Sequence, residues 1–100
     1  MAELERMRRS FVRRMAGYDA VLAPTAPILP PSVSRLLSDD AYYTTENLLA
    51  LRNTRIGNLL GLCGLSLPTG TPACGLMMMG APGSDWAVCR LGKAAEAALR

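Results

Sequence analysis

The chain contains no histidine. Without an imidazole there is no Ser-His-Asp or Cys-His couple, and the commonest ligand of transition metals is missing. Lysine occurs once, at Lys93, in a segment whose helical phasing sets it beside Ala94 and Glu96 on a surface. No apolar run approaches the roughly 18–20 residues that span a bilayer, so no membrane contact is expected. The N-terminus has arginines but no apolar core of signal-peptide type, and Glu3 and Glu5 argue against a transit peptide. No phosphate-cradling glycine motif or dinucleotide fingerprint occurs, so no cofactor is expected. Cys63, Cys74 and Cys89 are odd in number and lack a Cys-x-x-Cys spacing. They read as buried, reduced thiols of a cytoplasmic protein.

What is present is apolar. Half of the 100 residues are hydrophobic and 19% are charged, which excludes disorder and allows one small domain at most. So much apolar surface in so short a chain calls for a partner or a larger body to cover it. The net charge of +3 has a single source. Residues 1–16 hold five arginines against two glutamates, and the rest of the chain is balanced.

The hydrophobic spacing predicts the order helix, strand, helix, strand, strand, helix. Leu4, Met7, Phe11 and Met15 recur at three and four residues and mark a helix over residues 2–16, with Gly17 placed for a left-handed cap. Its arginines lie mainly off that stripe and read as a solvated face. A phosphate-binding face would also need aromatics or polar base-readers nearby, so nucleic acid is a poor fit as a partner. Residues 20–23 (AVLA) read as a buried parallel strand, and the four prolines of residues 24–31 as a stiff extended loop. A loop over residues 32–43 carries a short turn at 34–37. A second helix then starts at Thr44 or Thr45 and runs to Gly64. Leucines on nearly all its sides predict burial. Residues 65–67 and 76–79 read as strands separated by the PTGTP turn. Ser84 reads as the N-cap of a last helix whose apolar face is Val88, Leu91, Ala95 and Leu99. Buried strands need cover on both faces, and three helices scarcely supply it.

No serine or threonine has an activating base in reach of sequence reasoning. Ser66, inside an apolar strand, reads as a hydrogen-bonded core hydroxyl. The Asp39–Asp40 pair lacks the further oxygen ligands that a metal site wants. The polar residues that need explaining are Arg52, Asn53, Thr54, Arg55 and Asn58, within an otherwise apolar helix. An unpartnered buried asparagine costs about 1–3 kcal/mol, so each should bond to something. Either they anchor neighbouring loops, the PTAP segment among them, or some of them line a pocket.

In order and spacing, DAVLAPTAP at residues 19–27, NTRIGNLLGLCGLSLPTG at 53–70, GLMMMG at 75–80 and the helix ending AAEAAL resemble the C-terminal part of amidase-signature hydrolases, including the amidotransferase A subunits. The resemblance implies an α/β/α sandwich around a mixed sheet, and amide hydrolysis through an acyl-enzyme on a Ser, cis-Ser, Lys triad. The family's catalytic lysine and Gly/Ser-rich segment lie earlier in its chain and have no counterpart here, so no residue inherits a catalytic role. It also implies that the loop at Pro24–Pro27 and the helix face at Thr54–Asn58 form a wall of the substrate pocket, through Thr25, Thr54, Arg55 and Asn58. Met77 departs from the family, whose members often have Gln at this place. Residues 1–100 are thus expected to be one partial domain, truncated or part of a larger chain, inactive alone. Its partner would be the remainder of an amidase or another polypeptide that it completes, and the substrate of the complete enzyme a small amide. The other reading is a small binding module that uses the arginine helix on nucleic acid or an acidic protein.

Overall fold

The computed structural model describes residues 2–99. Their elements are α1 (Ala2–Arg14), β1 (Val21–Pro24), α2 (Val33–Ser38), α3 (Asp40–Leu60), β2 (Cys63–Pro68), β3 (Gly75–Gly80) and α4 (Asp85–Leu99). The three strands form one sheet in the order β1-β3-β2, and both pairings are antiparallel. The architecture is therefore mixed helix and sheet, as expected. The parallel reading of residues 20–23 is corrected: β1 is half-exposed and runs antiparallel to β3, with Val21 opposite Met79 and Pro24 opposite Leu76.

The register sorts the side chains. Cys63, Leu65 and Leu67 share one face with Leu76, Met78 and Gly80, and Gly64 and Ser66 share the other with Met77 and Met79. The first face takes α4. Gly92 lies against Leu65, whose Cδ2 a Cβ at position 92 would strike, so the absence of a side chain sets how closely helix and strand approach. Val88 packs on Gly80 in the same way. The expected apolar face of α4 is the one that packs, with Val88 and Gly92 buried. Ser84 stands at the helix start, its carbonyl accepting from the Val88 N–H, but its hydroxyl turns back to donate to the Ala81 carbonyl at 2.6 Å.

The opposite face takes α3. The Asn53 side-chain amide donates to the Pro24 carbonyl at 2.8 Å, and Gly57 lies over the Met79 sulfur. The helix begins at Asp40, four residues before the expected start, because Asp39 caps it and accepts from the Tyr42 N–H. It ends at Gly61, not Gly64, since Gly61 adopts the left-handed conformation (φ 68°) of a C-cap. Gly64 belongs to β2. The expected turn at 34–37 is the six-residue helix α2, capped by Ser32 and held on α3 by Arg35 stacked over the Tyr42 ring. Gly17, expected to be left-handed, is not, and α1 ends at Arg14.

α1 touches the remainder mainly through α3. Arg8 Nε donates to the Leu59 carbonyl at 2.9 Å, satisfying one of the unpaired carbonyls at the α3 C-terminus.

The predicted burial of α3 does not occur. Asn53 is its one buried residue, whereas Leu48, Leu51, Ile56 and Leu59 are exposed along its outer side. The whole is a plate of 46 × 42 × 17 Å with a radius of gyration of 15.8 Å, against about 13 Å for a compact chain of this length. It exposes 7271 Å², where a compact 10.7 kDa chain exposes about 5,500 Å². The buried core is correspondingly thin: Leu67, the three methionines of β3 and Val88. No helix among the described residues is long and apolar enough to cross a membrane.

Candidate functional site

The sheet face beneath α3 carries the chain's most organised polar group. Thr25 follows β1, and its N–H donates to the Gly75 carbonyl at 3.0 Å, extending the ladder by one residue. Its hydroxyl lies 2.5 Å from that of Ser66 on β2. β3 runs between these two strands, and neighbouring strands stand about 4.8 Å apart, so the two residues meet from strands roughly 10 Å apart. Gly75 makes the meeting possible. A Cβ there would sit 2.9 Å from Thr25 Oγ1 and 3.1 Å from Ser66 Oγ, in the space the hydroxyls occupy.

α3 brings two more polar groups to the same place. Thr54 and Asn58 are one helical turn apart, on the flank of α3 that borders the sheet. With Thr25 and Ser66 they line an open cavity of about 310 Å³, whose apolar lining includes Leu62, Met77 and Met79. Thr54 Oγ1 donates to the Leu51 carbonyl at 3.2 Å, leaving its lone pairs available.

Of the four residues expected to form a pocket wall, Thr25, Thr54 and Asn58 are thus gathered on one cavity. Arg55 is not among its lining residues. At about 100° per residue it stands nearly opposite Gly57, which faces the sheet, and it is exposed. Ser66, expected in the core, is instead exposed and joins the cavity, because its strand alternates and only odd-numbered residues of β2 face α4. Asn53 proves to be a structural anchor on the PTAP loop.

The remaining candidates carry less chemistry. Cys63 is half-buried and donates to Asp85 Oδ1 at 2.7 Å, while Cys74 and Cys89 are exposed, so the expectation of buried thiols fails for these two. Their segments lie on outer surfaces that no described element covers. Asp39 serves as a helix cap. A larger hollow of about 950 Å³ runs beside α1, lined by Glu5, Arg6, Arg8, Arg9 and Arg13. Arg6 pairs with Glu3, Arg9 lies 3.8 Å from Glu5, and Arg8 is engaged by Leu59. These arginines are partly neutralised within the helix, and no aromatic residue lines the hollow beside them.

The family model for Amidase matches residues 1–89. The 2-amino-5-chloromuconic acid deaminase of Comamonas testosteroni is 35% identical over an alignment of 88 residues that covers 84% of this chain and 19% of that protein. The A subunit of the glutamyl-tRNA(Gln) amidotransferase of Sulfolobus acidocaldarius is 33% identical over 87 residues, 84% of this chain and 17% of its relative. Its namesake from Saccharolobus solfataricus is 38% identical over 71 residues, 68% of this chain and 14% of that one. The chain therefore spans less than a fifth of the length of these curated relatives. No solved structure matches it.

Proposed function

The chain belongs to the Amidase family, and from that premise we propose that it is the C-terminal segment of an enzyme hydrolysing carboxylic amides. The observation that carries the reading is the family match over residues 1–89, while the matched segment spans less than a fifth of its relatives' length. In the complete cytoplasmic enzyme the three strands join a larger mixed sheet within an α/β/α sandwich. The acyl-enzyme chemistry of Ser, cis-Ser and Lys belongs to the other part of the domain. The thin core, the surplus of exposed surface and the bare outer side of α3 support this division, since each is what a piece cut from a thicker sandwich presents. Within it Thr25, Thr54 and Asn58 serve as a wall of the substrate pocket. Arg55 and the leucines beside it meet the remainder of the domain.

The purified chain is expected to leave simple amides such as benzamide intact over the buffer rate. Turnover by this chain alone that disappears when Ser66 or another serine is replaced would overturn the reading.

A further inference from the structure

We infer that Cys63 and Cys89 form a peroxide-reactive dithiol, which closes to a disulfide between β2 and α4 with Asp85 as its proton acceptor. The inference goes beyond the amidase reading and uses none of the pocket-wall residues. Asp85, Cys89 and Gly92 follow one another at four and three residues and so share one stripe of α4. Both ends of that stripe are fixed on β2. Cys63 Sγ donates to Asp85 Oδ1 at 2.7 Å, and a Cβ at Gly92 would strike Leu65 Cδ2. Cys89 therefore stands over the stretch of β2 between Cys63 and Leu65, where the missing side chain of Gly92 lets helix and strand approach. Cys63, Asp85 and Cys89 line one small cavity of about 160 Å³. Both thiols open onto this space, so rotation about their Cα–Cβ bonds is what brings the sulfurs together.

The two thiols differ in access. Cys89 is exposed and meets peroxide first, whereas Cys63 is half-buried and bonded to Asp85. The Cys89 sulfur attacks one peroxide oxygen, the O–O bond breaks, and Cys89 becomes a sulfenic acid with release of water. Cys63 then attacks the Cys89 sulfur. Its proton passes to the Asp85 carboxylate that already accepts it, and on to the hydroxyl that leaves as a second water. Two thiols have lost two electrons and two protons, and one peroxide has become two waters. Cys74 is a built-in control. It precedes Gly75, which pairs with Pro68 at the far end of the ladder from Cys63, so about 17 Å of strand separates the two.

The test is a titration of the dilute full chain with hydrogen peroxide, followed by alkylation of the remaining thiols, chymotryptic digestion and mass mapping. One equivalent is expected to lower the mass of the monomer by about 2 Da, the two hydrogens lost. The map should show Cys63 joined to Cys89 and Cys74 alone alkylated. Dithiothreitol should restore all three thiols. Cys89→Ser should leave Cys63 a free thiol under the same treatment. Asp85→Asn, which removes the proton acceptor, should close at least about tenfold more slowly. Should Asp85→Asn lose the helical signal of the parent in circular dichroism, Asp85→Ser is read in its place. A disulfide that includes Cys74, links between chains only, or a sulfinic acid at Cys89 with Cys63 still a thiol overturns the inference. So does a closure rate unchanged in the folded Asp85 variant.

Discussion

The hydroxyls of Thr25 and Ser66 lie 2.5 Å apart above a strand to which neither belongs. They clip the two edge strands of the sheet together over Gly75. Gly75→Ala should push them apart, because the new Cβ falls 2.9 Å from Thr25 Oγ1. The expected loss is about 0.5–1.5 kcal/mol, the net worth of one hydrogen bond, read as a lower urea midpoint. In a Ser66→Ala background the same substitution should cost less, since the bond it breaks is already gone. Equal cost in both backgrounds would show that the clip does not exist.

Asn53 is the one buried polar residue among those described, and its amide holds the Pro24 carbonyl at 2.8 Å. Asn53→Leu keeps the size, removes the donor and strands that carbonyl under α3. A loss of about 1–3 kcal/mol is expected in chemical denaturation. A variant as stable as the parent would mean that water satisfies Pro24.

Two turns have opposite backbone chemistry. Gly61 caps α3 at φ 68°, and Ala73, in the β2–β3 connection, takes φ 63° with a Cβ attached. Gly61→Ala should therefore destabilise by about 1 kcal/mol. Ala73→Gly should relieve strain of similar size, less the added freedom of the unfolded chain, so it should be neutral or mildly stabilising. Thermal melts should show Gly61→Ala lowered and Ala73→Gly unchanged or slightly raised.

The outer side of α3 exposes Leu48, Leu51 and Leu59. Replacing Leu48 and Leu59, 51% and 48% exposed, by Gln should cost the isolated chain no more than about 1 kcal/mol, because about half of each residue is already in water. The same variant should elute from a sizing column with less self-association, as a smaller apolar patch predicts. A large loss of stability would place these leucines in a core.

Much of this arrangement is legible in the sequence where the signal is local. The last helix, with Val88 on its packed side, follows from periodicity, and the anchoring of the PTAP loop from the cost of burying an asparagine. The earlier start of α3 is not legible, because Asp39 and the threonines at 44 and 45 are all acceptable caps and the choice depends on α2 folding against Tyr42. Strand direction is not legible either. A short apolar run looks the same parallel or antiparallel, and β1 finds its partner more than fifty residues later, where Pro24 meets Leu76 at the start of β3 and Val21 meets Met79 near its end. Apolarity overstates the burial of α3 and the cysteines, since it reports what a surface needs and not whether this chain can cover it. Ser66 escapes the site prediction because alternation in a six-residue strand fixes which residues share a face, and only the packing of α4 says which face is which.

Segment exchange puts the central claim to the most direct test. The part of the Comamonas testosteroni deaminase that matches this chain would be replaced by the corresponding residues of this chain, and turnover of 2-amino-5-chloromuconic acid measured beside the parent. If this chain is a working piece of an amidase-family domain, the chimera should be soluble and turn over within about a hundredfold of the parent. A chimera that folds and shows no turnover, or one that cannot be obtained folded while a chimera built from an archaeal amidotransferase relative can, would contradict it.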